Sequence, residues 1–126
     1  IFDYIHSLDS EKLANKISDE QQKHKKKPKI FIQVNLGNEV QKSGIDKRNL
    51  NDFYKFCKTL NLDIIGTMCI PPNDGYTKKY FSEMSDLNKK LNFKELSMGM
   101  SEDYLEAIRY NATYIRVGSK IFGSRS

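Results

Sequence analysis

At 126 residues, 38% hydrophobic and 29% charged, the chain has room for one hydrophobic core and reads as a single domain over residues 1–126. No apolar run reaches the roughly 18 residues of a membrane span and no signal-peptide pattern is present, so a soluble, cytoplasmic protein with no membrane partner is expected. The formal charge of +5 and pI near 9.1 raise nucleic acid as a partner, but the one dense basic run, "KHKKKPK" (Lys23–Lys29), falls where a helix should end before Pro28 and holds no aromatic residue, so it reads as solvated loop and no nucleic-acid partner is expected.

In chain order, "IFDYIHSL" (Ile1–Leu8) is strand-like, and Asp9 and Ser10 offer caps for a helix with Leu13 and Ile17 on one face. "KIFIQVN" (Lys29–Asn35) is β-branched and almost continuously apolar, as a strand covered on both faces should be, and a loop, "LGNEVQKSGID", follows. Leu50, Phe53, Cys57 and Leu60 recur at helical spacing within Asn49–Leu60, after which "DIIGTMCI" (Asp63–Ile70) returns to strand and Pro71–Pro72 stops it. Asp74 is the expected cap of a helix carrying Tyr80, Met84, Leu87 and Leu91. The short strand "KELSM", a helix over Glu102–Tyr110, the strand "ATYIRV" and a turn of helix from Ser119 complete the pattern. Five strands alternating with helices imply an α/β fold with a parallel sheet, because strand–helix–strand crossovers are right-handed in nearly all cases. No linker or internal repeat stands out.

Ligands of parallel α/β folds gather at the carboxyl ends of the strands. That rule singles out Ser7 and Asp9, Asn35 and the "QKSG" loop, Met68 to Pro72, Gly99 to Ser101, and Gly118–Ser119. Ser101 as a helix cap and Gly118–Ser119 opening another helical turn would aim two helix amino ends at one pocket if the last two strands are neighbours, which suits a phosphate or sulfate. Ser101 as a plain cap and Gly118 as a plain turn residue remain open, as do inward and outward settings for Arg116. Cys57 and Cys69 form no CxxC pair and have no His at ligand spacing, so neither a disulfide nor a metal site is expected, and both read as small buried hydrophobes rather than nucleophiles.

The ordered motifs "HSLD", "IQVNLGNEVQKSGI", "GTMCIPP", "LSMGMSEDYLEAI" and "IRVGSKIFGSR" resemble those of the pyridoxal phosphate homeostasis proteins of the YggS/PROSC type, whose fold is similar to the alanine racemase barrel. The resemblance covers nearly the whole chain. It implies a parallel β/α barrel of the alanine racemase type, present here as about its last five strands, and pyridoxal 5'-phosphate (PLP) as the ligand. By the same resemblance Arg116 would face the pyridine nitrogen, Ser101, Gly118 and Ser119 would bind the phosphate, Met100 would line the pocket, and Lys42 would lie near the cofactor. The family motifs resembling "FGENY" and "WHFIGxLQ", and the lysine at the end of the first barrel strand that holds the cofactor aldehyde, have no counterpart in this sequence. Lys42 and Lys120 are the lysines nearest the expected face, and neither matches that position. The expectation is therefore a non-catalytic carrier or regulator of PLP with no catalytic residue, associating as a homodimer or higher oligomer through open barrel edges. The alternatives are a fragment of a PLP-dependent racemase-like enzyme and a basic nucleic-acid-binding α/β domain.

Overall fold

The chain alternates strand and helix, and three of its four described α-helices close on a left-handed asparagine. The computed structural model describes residues 4–36, 43–71, 75–99, 104–117 and 120–123, with side chains left out at 104, 116, 117 and 120–123. β1 (Tyr4–Leu8), α1 (Glu11–His24), β2 (Lys29–Asn35), β3 (Ile45–Asp46), a 3-10 turn (Lys47–Asn49), α2 (Leu50–Thr59), β4 (Asp63–Met68), α3 (Thr77–Lys90), β5 (Glu95–Ser97), α4 (Tyr104–Arg109), β6 (Tyr114–Val117) and β7 (Lys120–Gly123) follow in sequence. Asn61, Asn92 and Asn111 end α2, α3 and α4 at φ of 59°, 59° and 75°. At each of them the next residue reaches back five positions with its N–H: Leu62 to the Cys57 carbonyl, Phe93 to Asn88 and Ala112 to Ala107. Asparagine tolerates the left-handed region that this closure requires, so each helix stops at a defined residue and the chain turns into the next strand.

The strands pair in the order β1-β2-β4-β5-β6-β7, with β3 on β2. All neighbours among β1, β2, β4, β5 and β6 are parallel, as the alternating pattern predicts. The register sorts the two faces. Thr67 stands beside Ile32 and Leu96, and its hydroxyl donates to Asn88 Oδ1 of α3 at 2.7 Å, which makes this the helix-covered face. Ile30, Ile32, Leu96, Phe81 and Met84 are at most 1% exposed in the cluster between sheet and helices; burying each such side chain stabilises the fold by about 1.5–3 kcal/mol.

The other face is concave. Phe31 stands beside Gly66 and Ser97 beside Tyr114. His6 stacks on Phe31 of the neighbouring β2 at 4.4 Å, and the curl brings β1 against strands it does not pair with: the Tyr4 and Tyr114 ring centroids are 5.7 Å apart, and His6 Nδ1 lies 3.0 Å from Ser97 Oγ. Such contacts across the hollow of a sheet are how a β/α barrel fills its interior.

The structure narrows one sequence expectation and replaces others. Ser10, in extended conformation, caps α1 by accepting from the Leu13 N–H at 3.1 Å, while Asp9 turns to the Gly44 N–H at 3.0 Å. The segment read as a loop after β2 contains β3, whose Ile45 and Asp46 pair with Val34 and Asn35 just past the point where β1 and β4 leave off. α3 begins at Thr77 with Tyr76 in the cap position and no side-chain cap bond; the expected cap Asp74 lies outside the described residues. The helical turn expected from Ser119 is replaced by β7, which runs antiparallel to β6 from Val117↔Lys120 to Tyr114↔Gly123. A Gly-Ser pair between two β-rich runs is hairpin spacing, and Ile121 and Phe122 are strand formers.

Candidate functional site

The carboxyl ends of β2, β4, β5 and β6 form one rim. β5 and β6 are neighbours, with Ser97 beside Tyr114 and the Met98 N–H donating to the Tyr114 carbonyl at 3.0 Å, so the condition for a shared pocket after the last two parallel strands is met. The Cys69 N–H donates to the Ser97 carbonyl at 3.1 Å and brings the end of β4 to the same rim. Gly99 ends this segment at φ 102°, a conformation that favours glycine.

On the far side of the rim the loop after β2 is drawn tightly in. A Cβ on Gly44, itself at φ 120°, would lie 2.7 Å from the Asn35 nitrogen, so only glycine lets the two backbones approach this closely. Asp9 fastens the same residue from β1 through its carboxylate. Gly44, two residues after Lys42, is thereby held at the end of β2, between a buried strand and an acidic tether.

Of the six residues singled out for cofactor binding, Arg116 falls in β6, opposite Ile121 of β7 and two residues past Tyr114; its side chain lies outside the description. Met100, Ser101, Gly118, Ser119 and Lys42 lie outside the described residues. Their described neighbours are Gly99 after β5, Val117 at the end of β6, Lys120 at the start of β7 and Ser43 after β2. Ser7 does not belong to the rim. It lines an outer groove of about 500 Å³ with Ile5, Leu13 and Ile17.

The replacement of the last helical turn by β7 changes the electrostatic argument for an anion. One of the two expected helix ends is absent, because β6 pairs with the antiparallel β7; the other, at Ser101, falls outside the described residues before α4. The Gly44 approach and the positive φ of Gly99 supply close-lying backbone on two sides of the rim, and this fits a ligand held partly by main chain.

Both cysteines are free and buried. Cys57 is fully buried in α2, and burial, with Glu11 nearby, pushes its thiol up from 9.0 to about 12. Cys69 is 4% exposed. Among the described residues no group of three or more His, Cys, Asp or Glu side chains could hold a metal ion, and no helix is long and apolar enough to cross a membrane.

Sequence reasoning missed the hollow-face set of His6, Phe31, Ser97 and Tyr114. His6 and Ser97 are separated by 91 positions in the chain, and only the polar residue at an inward strand position hinted at a role for either.

Known proteins with the same features are numerous. The pyridoxal phosphate homeostasis protein of Aquifex aeolicus is 35% identical, over 96% of this chain and 58% of its own length. That of Synechocystis is 37% identical, over 98% of this chain and 62% of its own. PipY of Synechococcus elongatus, solved with PLP bound, superposes with a TM-score of 0.83 at 32% identity, covering 94% of this chain and 59% of that one. A protein of unknown function from Bifidobacterium adolescentis gives a TM-score of 0.84 at 29% identity. The chain thus spans a little over half the length of the curated relatives it matches. With the alanine racemase N-terminal domain matching residues 2–126, and with a parallel, curled β/α sheet of that fold, the chain belongs to the alanine racemase N-terminal domain family, in the company of pyridoxal phosphate homeostasis proteins.

Proposed function

We propose that this chain carries the phosphate and ring side of a PLP site and serves as a non-catalytic carrier of the cofactor. The observation that supports the reading most is the shared rim: β2, β5 and β6, which lead into every candidate residue, end together, in a fold whose relative PipY has been solved with PLP bound. Bound there, PLP supplies an aldehyde and an electron-accepting ring.

The chain's own residues do the rest. Ser101, Gly118 and Ser119 donate hydroxyl and backbone N–H groups to the phosphate, and Met100 provides an apolar wall. Arg116, always protonated, donates to the pyridine nitrogen and keeps that nitrogen without a proton, which weakens the ring as an electron sink and suits storage over turnover. Lys42 adds a positive charge near the phosphate side. The buried, proton-holding thiol of Cys57 offers no nucleophile.

The test is titration of the chain with PLP, with inorganic phosphate as competitor. Ser101→Ala, Ser119→Ala and Arg116→Ala should each weaken binding by about tenfold, the loss of one charge-assisted hydrogen bond. Borohydride reduction followed by peptide mapping should give sparse labelling spread over many lysines. Stoichiometric labelling of one lysine, Lys42 or Lys120 above all, would overturn the expectation that no lysine here holds the aldehyde, and binding indifferent to all three substitutions would overturn the proposed site.

The proposal extends to self-association. Among the described strands β1 pairs on one side only, and Ile5 and Leu13 line the groove beside it; an open strand edge next to apolar surface recruits a second strand. Light scattering should show a dimer or larger species at micromolar concentration, and a monodisperse monomer there would count against it.

A further inference from the structure

At the amino ends of the strands, opposite the rim just described, lies a cleft of about 760 Å³. It is a size at which proteins hold small molecules. Its lining comes from the starts of β1, β2, β4, β5 and β6, one side of α2, and the turn from α3 into β5.

Its walls combine unpaired positive charge with aromatic rings. Lys29, Lys58 and Lys94 line the cleft, all three are exposed, and none of them forms an ion pair among the described residues. Two of the ammonium groups are held in place by rings: Lys29 Nζ sits 5.9 Å from the Tyr4 ring centroid and Lys58 Nζ 5.4 Å from that of Tyr54. Phe93 meets Tyr54 edge-on at 4.9 Å and fixes the second ring. Tyr4 keeps 40% of its surface exposed at the cleft. Glu95 is the one carboxylate in the lining, so three positive charges face one negative charge.

We propose that this cleft is a binding site for a small phosphate monoester carrying a planar ring, separate from the site at the carboxyl ends. A cation over one part of an aromatic ring keeps its remaining N–H groups available to an anion, and the ring pre-positions a side chain that would otherwise cost rotamer entropy to order. Phosphate answers the uncompensated lysine charge, and a planar ring answers the open aromatic surface, which neither a bare anion nor a neutral ring does alone. The inference rests on this cleft only and stands whether or not the rim binds PLP.

The experiment is calorimetric titration of the 126-residue chain with AMP, inorganic phosphate and adenosine, followed by pyridoxine 5'-phosphate, which lacks the reactive aldehyde. AMP or pyridoxine 5'-phosphate should bind at least about tenfold more tightly than either inorganic phosphate or adenosine, and the tighter of the two names the source of the ring. Lys58→Ala combined with Lys94→Ala should weaken that binding by about tenfold or more, Tyr54→Leu should weaken it with the lysines intact, and the surface control Lys55→Ala should leave it unchanged. Should the double substitution impair folding, Lys58→Gln combined with Lys94→Gln, read by circular dichroism alongside binding, replaces it. In an Arg116→Ala background the binding should persist. Its disappearance there would place the phosphate at the rim and overturn the proposal, as would equal affinity for inorganic phosphate, or affinity for oligonucleotides that rises with their length.

Discussion

Replacing Gly66 with alanine tests the account of the sheet at its tightest point. Gly66 stands beside Glu95 where β4 pairs with β5. A Cβ there would fall within the van der Waals envelope of the Glu95 carbonyl oxygen and 2.7 Å from its carbon. Carbon atoms in contact sit at about 3.5 Å or more, so the strands must part by about 0.8 Å. The same carbonyl accepts from Asn88 Nδ2 at 2.7 Å, and Asn88 Oδ1 accepts from Thr67 at 2.7 Å. Moving Glu95 by that amount stretches the first bond to the limit of hydrogen bonding. Asn88 is 5% exposed, so water cannot readily replace the lost partner. Overpacking costs about 1–3 kcal/mol and a buried unsatisfied amide about 1–3 kcal/mol more, which gives about 2–6 kcal/mol in all. The assay is urea unfolding followed by far-UV circular dichroism, with Gly75→Ala as comparison: Gly75 has φ 87° and nothing within 4 Å of its would-be Cβ, so only left-handed strain of about 1–2 kcal/mol applies. A Gly66→Ala protein as stable as Gly75→Ala would refute the claimed close approach.

Two further outcomes follow from the caps and the core. The Cys57 thiol, raised from 9.0 to about 12 by burial, should resist thiol reagents at pH 8 until urea is added. Its protonated form is the folded one, so its contribution to stability is whole below about pH 9 and is lost, at up to about 1.4 kcal/mol per pH unit, between about pH 9 and 12. Cys57→Ala should remove that part of the alkaline slope, and an identical slope in both proteins would dismiss the thiol as its source. Ser10→Ala, which deletes the acceptor of the Leu13 N–H, should lower stability by about 1 kcal/mol; no change in the urea midpoint would show that α1 does not depend on its cap.

Much of this molecule is local and so was open to reading from sequence alone. The apolar periods of α1, α2 and α3, the near-continuous apolar run of β2, and the alternation that dictates parallel pairing all depend on residues within a few positions of one another. So does the Ser10 cap. Two local signals were present and passed over: the asparagines 61, 92 and 111, each closing a helix, and the Gly-Ser pair between "YIRV" and "KIFG", which marks the β6–β7 hairpin rather than a helical start. Strand ends and capping signals pointed to Ser101, Gly118 and Ser119, and an arginine in an apolar strand to Arg116; the motifs alone pointed to the family and to PLP. What tertiary structure alone decided is whatever the curl of the sheet brings together: His6 onto Phe31 and within reach of Ser97, Tyr4 onto Tyr114, the Gly44 backbone against Asn35, and three lysines from three separate elements around one cleft. Sheet curvature is summed over many residues of twist and strand register, and side chains many tens of positions apart carry no mutual signal in a single chain, so these meetings exist only once the sheet has bent.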